Sequence, residues 1–174
     1  MPNAKKYILT GVILGSIAGV AAGLIAATNL ITSKKIKQNE LNKVLSGISS
    51  IYGDDSKIKL EDDLSEYQYA VHYYAIENSQ SEFLGYAIKT SGSNMYGKIS
   101  LIAGFDNATH AFMSLYMVSD EQTYASTLEE KYVAPLNSSE RDLEDVSCGA
   151  TYGAKLVRDM IKEAKVAADA LWSK

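Results

Sequence analysis

Apolar positions along this chain follow two regimes. From Tyr7 to Thr32 no residue is charged, and at 1.5 Å per helical residue that run reaches roughly 39 Å, enough to cross a hydrocarbon core of about 30 Å with some tilt. The pattern predicts a membrane-spanning helix. Lys5 and Lys6 precede it, and Lys34, Lys35 and Lys37 follow. A cleaved signal peptide shares the basic start, but its apolar region runs only about 7 to 15 residues, so the reading is a retained anchor surrounded by lipid. The short flanks carry nearly balanced positive charge and do not set an orientation.

Inside this run Gly11, Gly15, Gly19 and Gly23 recur every fourth residue. Each interior glycine costs a helix in water about 1 kcal/mol relative to alanine. In a bilayer the backbone must stay helical, and a stripe of small residues becomes a groove that another helix can approach closely. The register predicts a packed helix interface.

After the anchor the periodicity changes. KKIKQNELNKVLSGI sets Ile36, Leu41, Val44, Leu45 and Ile48 on one helical face before Gly47 and Ser49-Ser50 weaken the pattern, so an amphipathic helix leaves the bilayer. Asp54 to Glu66 is acidic and reads as a solvated connection. Four strand-like runs follow at 67–76, 83–90, 98–105 and 110–118, separated by short polar spacers that favour antiparallel hairpins. A short helix around Ser126 to Tyr132, ended by Pro135, precedes a longer one from about Tyr152 to Trp172, whose apolar stripe is Val157, Met160, Ile161, Ala164, Ala168 and Leu171. The class is α+β: one N-terminal transmembrane helix, then an antiparallel sheet with packed helices. The division expected is 1–33 anchor, 34–66 amphipathic helix and acidic connection, and 67–174 folded domain.

Composition narrows the function. With 47% hydrophobic residues and a net charge of -4, neither disorder nor nucleic-acid binding is indicated. Cys148 is the single cysteine and leaves the redox compartment open. His72 and His110 lack the ligand spacing of a zinc site, so no metal is expected. No P-loop, dinucleotide-binding glycine motif or nucleophile elbow occurs, and no catalytic residue is assigned.

Chemistry concentrates at one joint, DVSCGATYGAKLVRDMI from Asp145, where a turn of small residues enters the last helix. Gly149 removes a side chain from the approach to Thr151, and a helix N-terminus offers unpaired N–H groups and a positive dipole end, a favourable place for a phosphate. The plainer alternative is that Thr151 caps the helix, a role threonine fills well.

Asp145-Val146-Ser147-Cys148-Gly149-Ala150-Thr151 resembles the D-x-x-[S/T]-G-A-T motif of the FMN-binding domain family, in which a flavin transferase attaches FMN through its phosphate to the threonine. The resemblance implies Thr151 as the attachment site, with Asp145, Gly149 and Ala150 matching the motif, Cys148 in its Ser/Thr position, and Gly153 and Ala154 where the family usually carries Ser or Thr. LGYAIKTSGSNMYGKISLIAGFD is similar to a second family stretch through Gly85, Tyr86, Tyr96, Gly97, Ile99, Gly104 and Asp106. SDEQTYAS stands where members carry E-T-P-G beside the flavin, with Glu121 retained. ATNLITSKKIKQNELNKVL is similar to the juxtamembrane segment of the G subunits of Rnf electron transport complexes, relatives of the C subunits of sodium-pumping quinone reductases.

These resemblances imply a flavoprotein, phosphoester-linked through Thr151, held by a single pass in the cell membrane with its FMN domain extracytoplasmic. It would act as an electron-transfer subunit rather than an enzyme alone, with integral-membrane subunits of the complex as partners and a flavin transferase for maturation. Other readings are a flavinylated carrier of another extracytoplasmic electron-transfer chain, a non-redox membrane-anchored binding module, and a glycine-zipper structural anchor.

Overall fold

A computed structural model describes residues 3–173; the side chains at 3–6, 27, 30, 31, 33, 34 and 37, which include the flanking Lys5, Lys6, Lys34 and Lys37, lie outside the described set. The fold is α+β. Helix α1 runs from Asn3 to Tyr52 without a break, so Gly47 and Ser49-Ser50 do not end it as their composition predicts. The chain divides into two compact units, residues 1–42 and 43–174. In the first, Tyr7–Ala26 is long and apolar enough to cross a membrane, and none of it is buried within the protein. Ser16 Oγ donates to Val12 O and Thr28 Oγ1 to Leu24 O, each at 2.8 Å. Both hydroxyls are thus satisfied within their own helix, as apolar surroundings require.

The second unit is built on a five-stranded antiparallel sheet in the order β1 (Lys57–Asp63), β2 (Ala70–Glu77), β3 (Phe83–Asn94), β4 (Gly97–Asp106), β5 (Phe112–Asp120). Each strand pairs with its sequence neighbours, the meander that short connections produce. β1 occupies the stretch whose acidity marks it as a solvated connection. Its charged, mostly exposed KIKLEDD sequence suits an edge strand that must resist pairing with other chains. At the other edge Asn137 covers β5, its Oδ1 accepting from Leu115 N–H at 2.8 Å and its Nδ2 donating to Leu115 O at 2.9 Å.

Alternation along β4 fills two cores. Ile99, Leu101, Ala103 and Phe105 join the larger one, beneath helix α4 (Thr151–Trp172), with Val157, Met160, Ile161, Ala164 and Ala168 of the expected stripe; Leu171 is half-buried beside them. Ile102 turns to the opposite face, where Val44, Ile48 and Ile51 from the end of α1 pack. The buried stripe of this segment differs from the expected face, because Ile36, Leu41 and Leu45 are exposed. Glycine explains the close docking: a Cβ on Gly47 would meet Tyr116 Cδ1 at 2.8 Å, and one on Gly104 would meet Ile51 Cγ2 at 2.3 Å. Tyr52 hydroxyl closes the seam, accepting from Phe105 N–H at 3.0 Å and donating to Tyr86 O at 2.8 Å. Burial pushes its pKa well above the ordinary phenol value.

After β5, α2 (Ala125–Leu128), a π-helical turn (Glu129–Val133) and α3 (Ala134–Asn137) follow without interruption. Pro135 therefore does not end the helix at Tyr132. The turn before it is widened, with Ala134 N–H bonding Glu129 O five residues back, and a helix carrying a proline is eased by such a bulge. Glu163 on α4 ties that helix to the sheet by accepting the N–H groups of Tyr69 and of Ala70, the latter at 2.8 Å. Removing the acceptor strands two donors, one of them on fully buried Ala70. Glu163→Ala is expected to lower unfolding free energy by about 2 kcal/mol and Glu163→Gln, which keeps an acceptor oxygen, by less than half of that, read from urea unfolding midpoints.

Candidate functional site

The DVSCGAT turn is held from behind. Arg141 donates to Asp145 O at 2.8 Å and Ser147 O at 3.4 Å, and pairs with the Asp145 carboxylate at 3.1 Å. Asp145 Oδ1 in turn accepts Ser147 N–H at 3.3 Å. Tyr132, fully buried, donates its hydroxyl to Leu143 O at 2.6 Å, and its burial raises its pKa far above normal. Gly149 then takes φ +84, a conformation side-chain-bearing residues rarely adopt. That reversal brings Ala150 to the N-cap of α4 and Thr151 to its first turn.

Thr151 is therefore not the cap. The N-cap residue is Ala150, with no side-chain cap bond, and the Thr151 hydroxyl makes no hydrogen bond among the described residues. The first backbone bond into the helix is Ala154 N–H to Ala150 O at 3.0 Å, which leaves the earlier amides of the first turn free to face a ligand. Gly149, Ala150, Thr151, Tyr152 and Gly153 line a cleft of about 240 Å³ together with Tyr96, Gln122 and Tyr124.

The cleft is aromatic. Tyr96 packs against Tyr124 with ring centroids 6.2 Å apart and against Tyr152 at 5.5 Å. Tyr124 and Tyr152 remain about half exposed, at 53% and 57%, so planar faces are open to a ring system. The polar framework comes from the β3–β4 turn: Asn94 Nδ2 donates to Tyr152 O at 3.2 Å, and Asn94 Oδ1 accepts Tyr96 N–H at 2.9 Å. Gln122 enters from the end of β5, its N–H bound to Asp120 Oδ1 at 2.8 Å. Burial raises the Asp120 carboxyl above its ordinary pKa, against the lowering effect of that hydrogen bond.

Of the residues the motifs single out, Tyr96, Gly149, Ala150, Thr151 and Gly153 line the cleft. Asp145 stands behind the turn with Arg141. Cys148 is buried in the larger core. Glu121 is exposed and outside the lining, its backbone carbonyl against Gly97, while the next residue, Gln122, faces the cleft. Tyr124, Tyr152, Gln122, Asn94 and Arg141 are additions from the structure; only the position of Tyr152 beside the motif hints at its part. Because Cys148 sits among apolar side chains, Cys148→Ser places a hydroxyl there and is expected to cost about 1 to 2 kcal/mol in thermal unfolding.

Residues 1–51 match the family model described as the RnfG N-terminal region. The match bears out the likeness to Rnf G subunits over the whole of α1 up to Ile51. Among curated proteins no sequence matches this chain.

Proposed function

We propose that this chain is a membrane-anchored electron carrier, the G-type subunit of an Rnf-like ion-translocating oxidoreductase, with FMN joined through its phosphate to Thr151. One observation carries the reading: a threonine whose hydroxyl bonds none of the described residues, at the end of a D-x-x-C-G-A-T turn, lines a tyrosine-rich cleft at a helix N-terminus, in a chain whose first 51 residues match the RnfG N-terminal region. The residues suit the group. Free amides of the first helical turn would receive the phosphate, Gly149 and Gly153 leave room beside it, and Tyr96, Tyr124 and Tyr152 offer faces to the isoalloxazine ring. When bound, the flavin supplies one- or two-electron redox chemistry; the protein supplies attachment, orientation and nearness to partners.

Attachment needs an activated donor. Thr151 Oγ1 forms the new O–P bond with the flavin phosphate of a flavin dinucleotide, the donor's P–O–P link breaks, the nucleoside monophosphate leaves, and the hydroxyl proton passes to a base of the transferase. No electrons move in this step. An ester bond keeps the carrier from losing its cofactor as it exchanges electrons with integral-membrane subunits. That the N-cap residue is Ala150 supports this reading over one in which Thr151 serves only as a helix cap. Full-length protein made with a flavin transferase is expected to fluoresce as a single band on a denaturing gel under blue light and to gain one FMN by intact mass. An unmodified mass would overturn the proposal.

A further inference from the structure

Gln122 is only 9% exposed, yet half of its amide is unpartnered. Its Nε2 donates to Asn94 Oδ1 at 2.9 Å and to Gly97 O at 3.4 Å, whereas no donor among the described residues reaches its Oε1. The neighbouring groups fix which end of the amide is which. Asn94 Oδ1 is an oxygen because it accepts the Tyr96 N–H, and Asn94 Nδ2 is occupied with Tyr152 O. The Gln122 atom facing Asn94 Oδ1 must then be the nitrogen, which turns the side-chain carbonyl the other way. There it points at the first turn of α4: a Cβ on Gly153 would stand 2.6 Å from Oε1. Glycine at 153 keeps this oxygen open to the cleft.

An acceptor with no protein donor that opens on a cleft is placed to take a donor from whatever fills it. We infer that the Gln122 side-chain carbonyl positions the cofactor of the Thr151 cleft by accepting a hydrogen bond from a hydroxyl of the polyol chain that joins the phosphate to the ring. This deepens the flavin reading and rests on it. Position selects that part of the ligand: an ionised phosphate has no hydrogen to donate, and the oxidised ring's one N–H lies at the far end of the ligand from the phosphate, whereas Oε1 stands against Gly153, two residues from Thr151. Between phosphate and ring the ribityl chain carries hydroxyls. Gln122 thereby makes the site selective for a hydroxylated linker over a plain alkyl one.

The test compares the full-length wild type and Gln122→Met, each with and without flavin at Thr151, in detergent. Methionine is close in length but offers no carbonyl, and it also frees Asn94. That second, structural loss is common to loaded and unloaded protein and cancels in the difference between them. Loading is expected to raise the folding equilibrium constant more in wild type than in Gln122→Met, by about fivefold, the worth of one ordinary hydrogen bond. An equal gain in both proteins would overturn the inference. Should Gln122→Met fail to fold, the Gln122 side-chain carbonyl ¹³C resonance in wild type answers the same question, since it must shift downfield on loading, and an unmoved resonance rejects the contact. Intact mass separates the two levels. A wild type that acquires no FMN removes the flavin reading and this contact together; an adduct without coupling removes the contact alone.

Discussion

Thr151→Ala is expected to abolish flavin attachment completely while leaving the protein folded. Both halves of this outcome follow from the position of the side chain. Its hydroxyl bonds to none of the described residues, and Ala150 rather than Thr151 stands at the N-cap, so the cost of about 1 kcal/mol attached to losing a cap does not apply. Alanine is also a good helix former, and the change in unfolding free energy should stay within about 0.5 kcal/mol. The cleft offers other hydroxyls, those of Tyr96, Tyr124 and Tyr152. They serve as an internal control: intact mass of Thr151→Ala with the transferase present should show no adduct. A full adduct would assign the ester to one of them and remove Thr151 from its role.

The sequence and the structure agree where local periodicity decides. The α4 stripe at Val157, Met160, Ile161, Ala164 and Ala168 is a helical repeat, and all five are buried. Runs 83–90 and 98–105 lie within β3 and β4. What the sequence hides is settled by distant partners. Ile58 and Leu60 are too few apolar residues to mark β1 among its charges, and the strand exists because Lys57–Asp63 pairs with β2. Gly47 reads as a helix breaker, yet it is the point where a side chain would strike Tyr116 and Ile102. Pro135 reads as a stop, yet a π turn ahead of it lets the coil continue.

The site divides the same way. The half proposed to take the flavin is a contiguous motif, legible in DVSCGAT. Its recognition half is assembled by sheet register: pairing of Asn94 with Gly97 and of Ile99 with Asp120 brings the β3–β4 turn and the end of β5 to the N-terminus of α4. Nothing within SDEQTYAS alone distinguishes Gln122, which faces the cleft, from Glu121, which does not. The difference appears only when Gly97 packs against the Glu121 carbonyl, with its Cβ position 2.4 Å from that oxygen, and the following side chain is directed inward.

On the proposed function, replacing Gly15 and Gly19 together with leucine is expected to disconnect the protein from its membrane partners without disturbing the domain of the Thr151 cleft. In α1 an added Cβ at Gly11, Gly15, Gly19 or Gly23 meets nothing within 4 Å, so leucine strains nothing inside the chain. It remains apolar and favours helix more than glycine does, and Tyr7–Ala26 keeps its capacity to span. Leucine does fill the groove. Helices in a bilayer associate through close packing of small residues rather than through exclusion from water, and losing about 1.4 kcal/mol of such packing lowers association tenfold. Co-purification of integral-membrane subunits with the double variant should therefore fall by roughly tenfold at matched expression, and electron transfer through the complex should fall with it. Flavin content by intact mass should not change, because the cleft is lined by residues between 96 and 153 and braced by Asn94. Equal recovery of partners would mean that the bilayer merely tolerates these glycines, and the packing surface would have to be sought elsewhere on the helix.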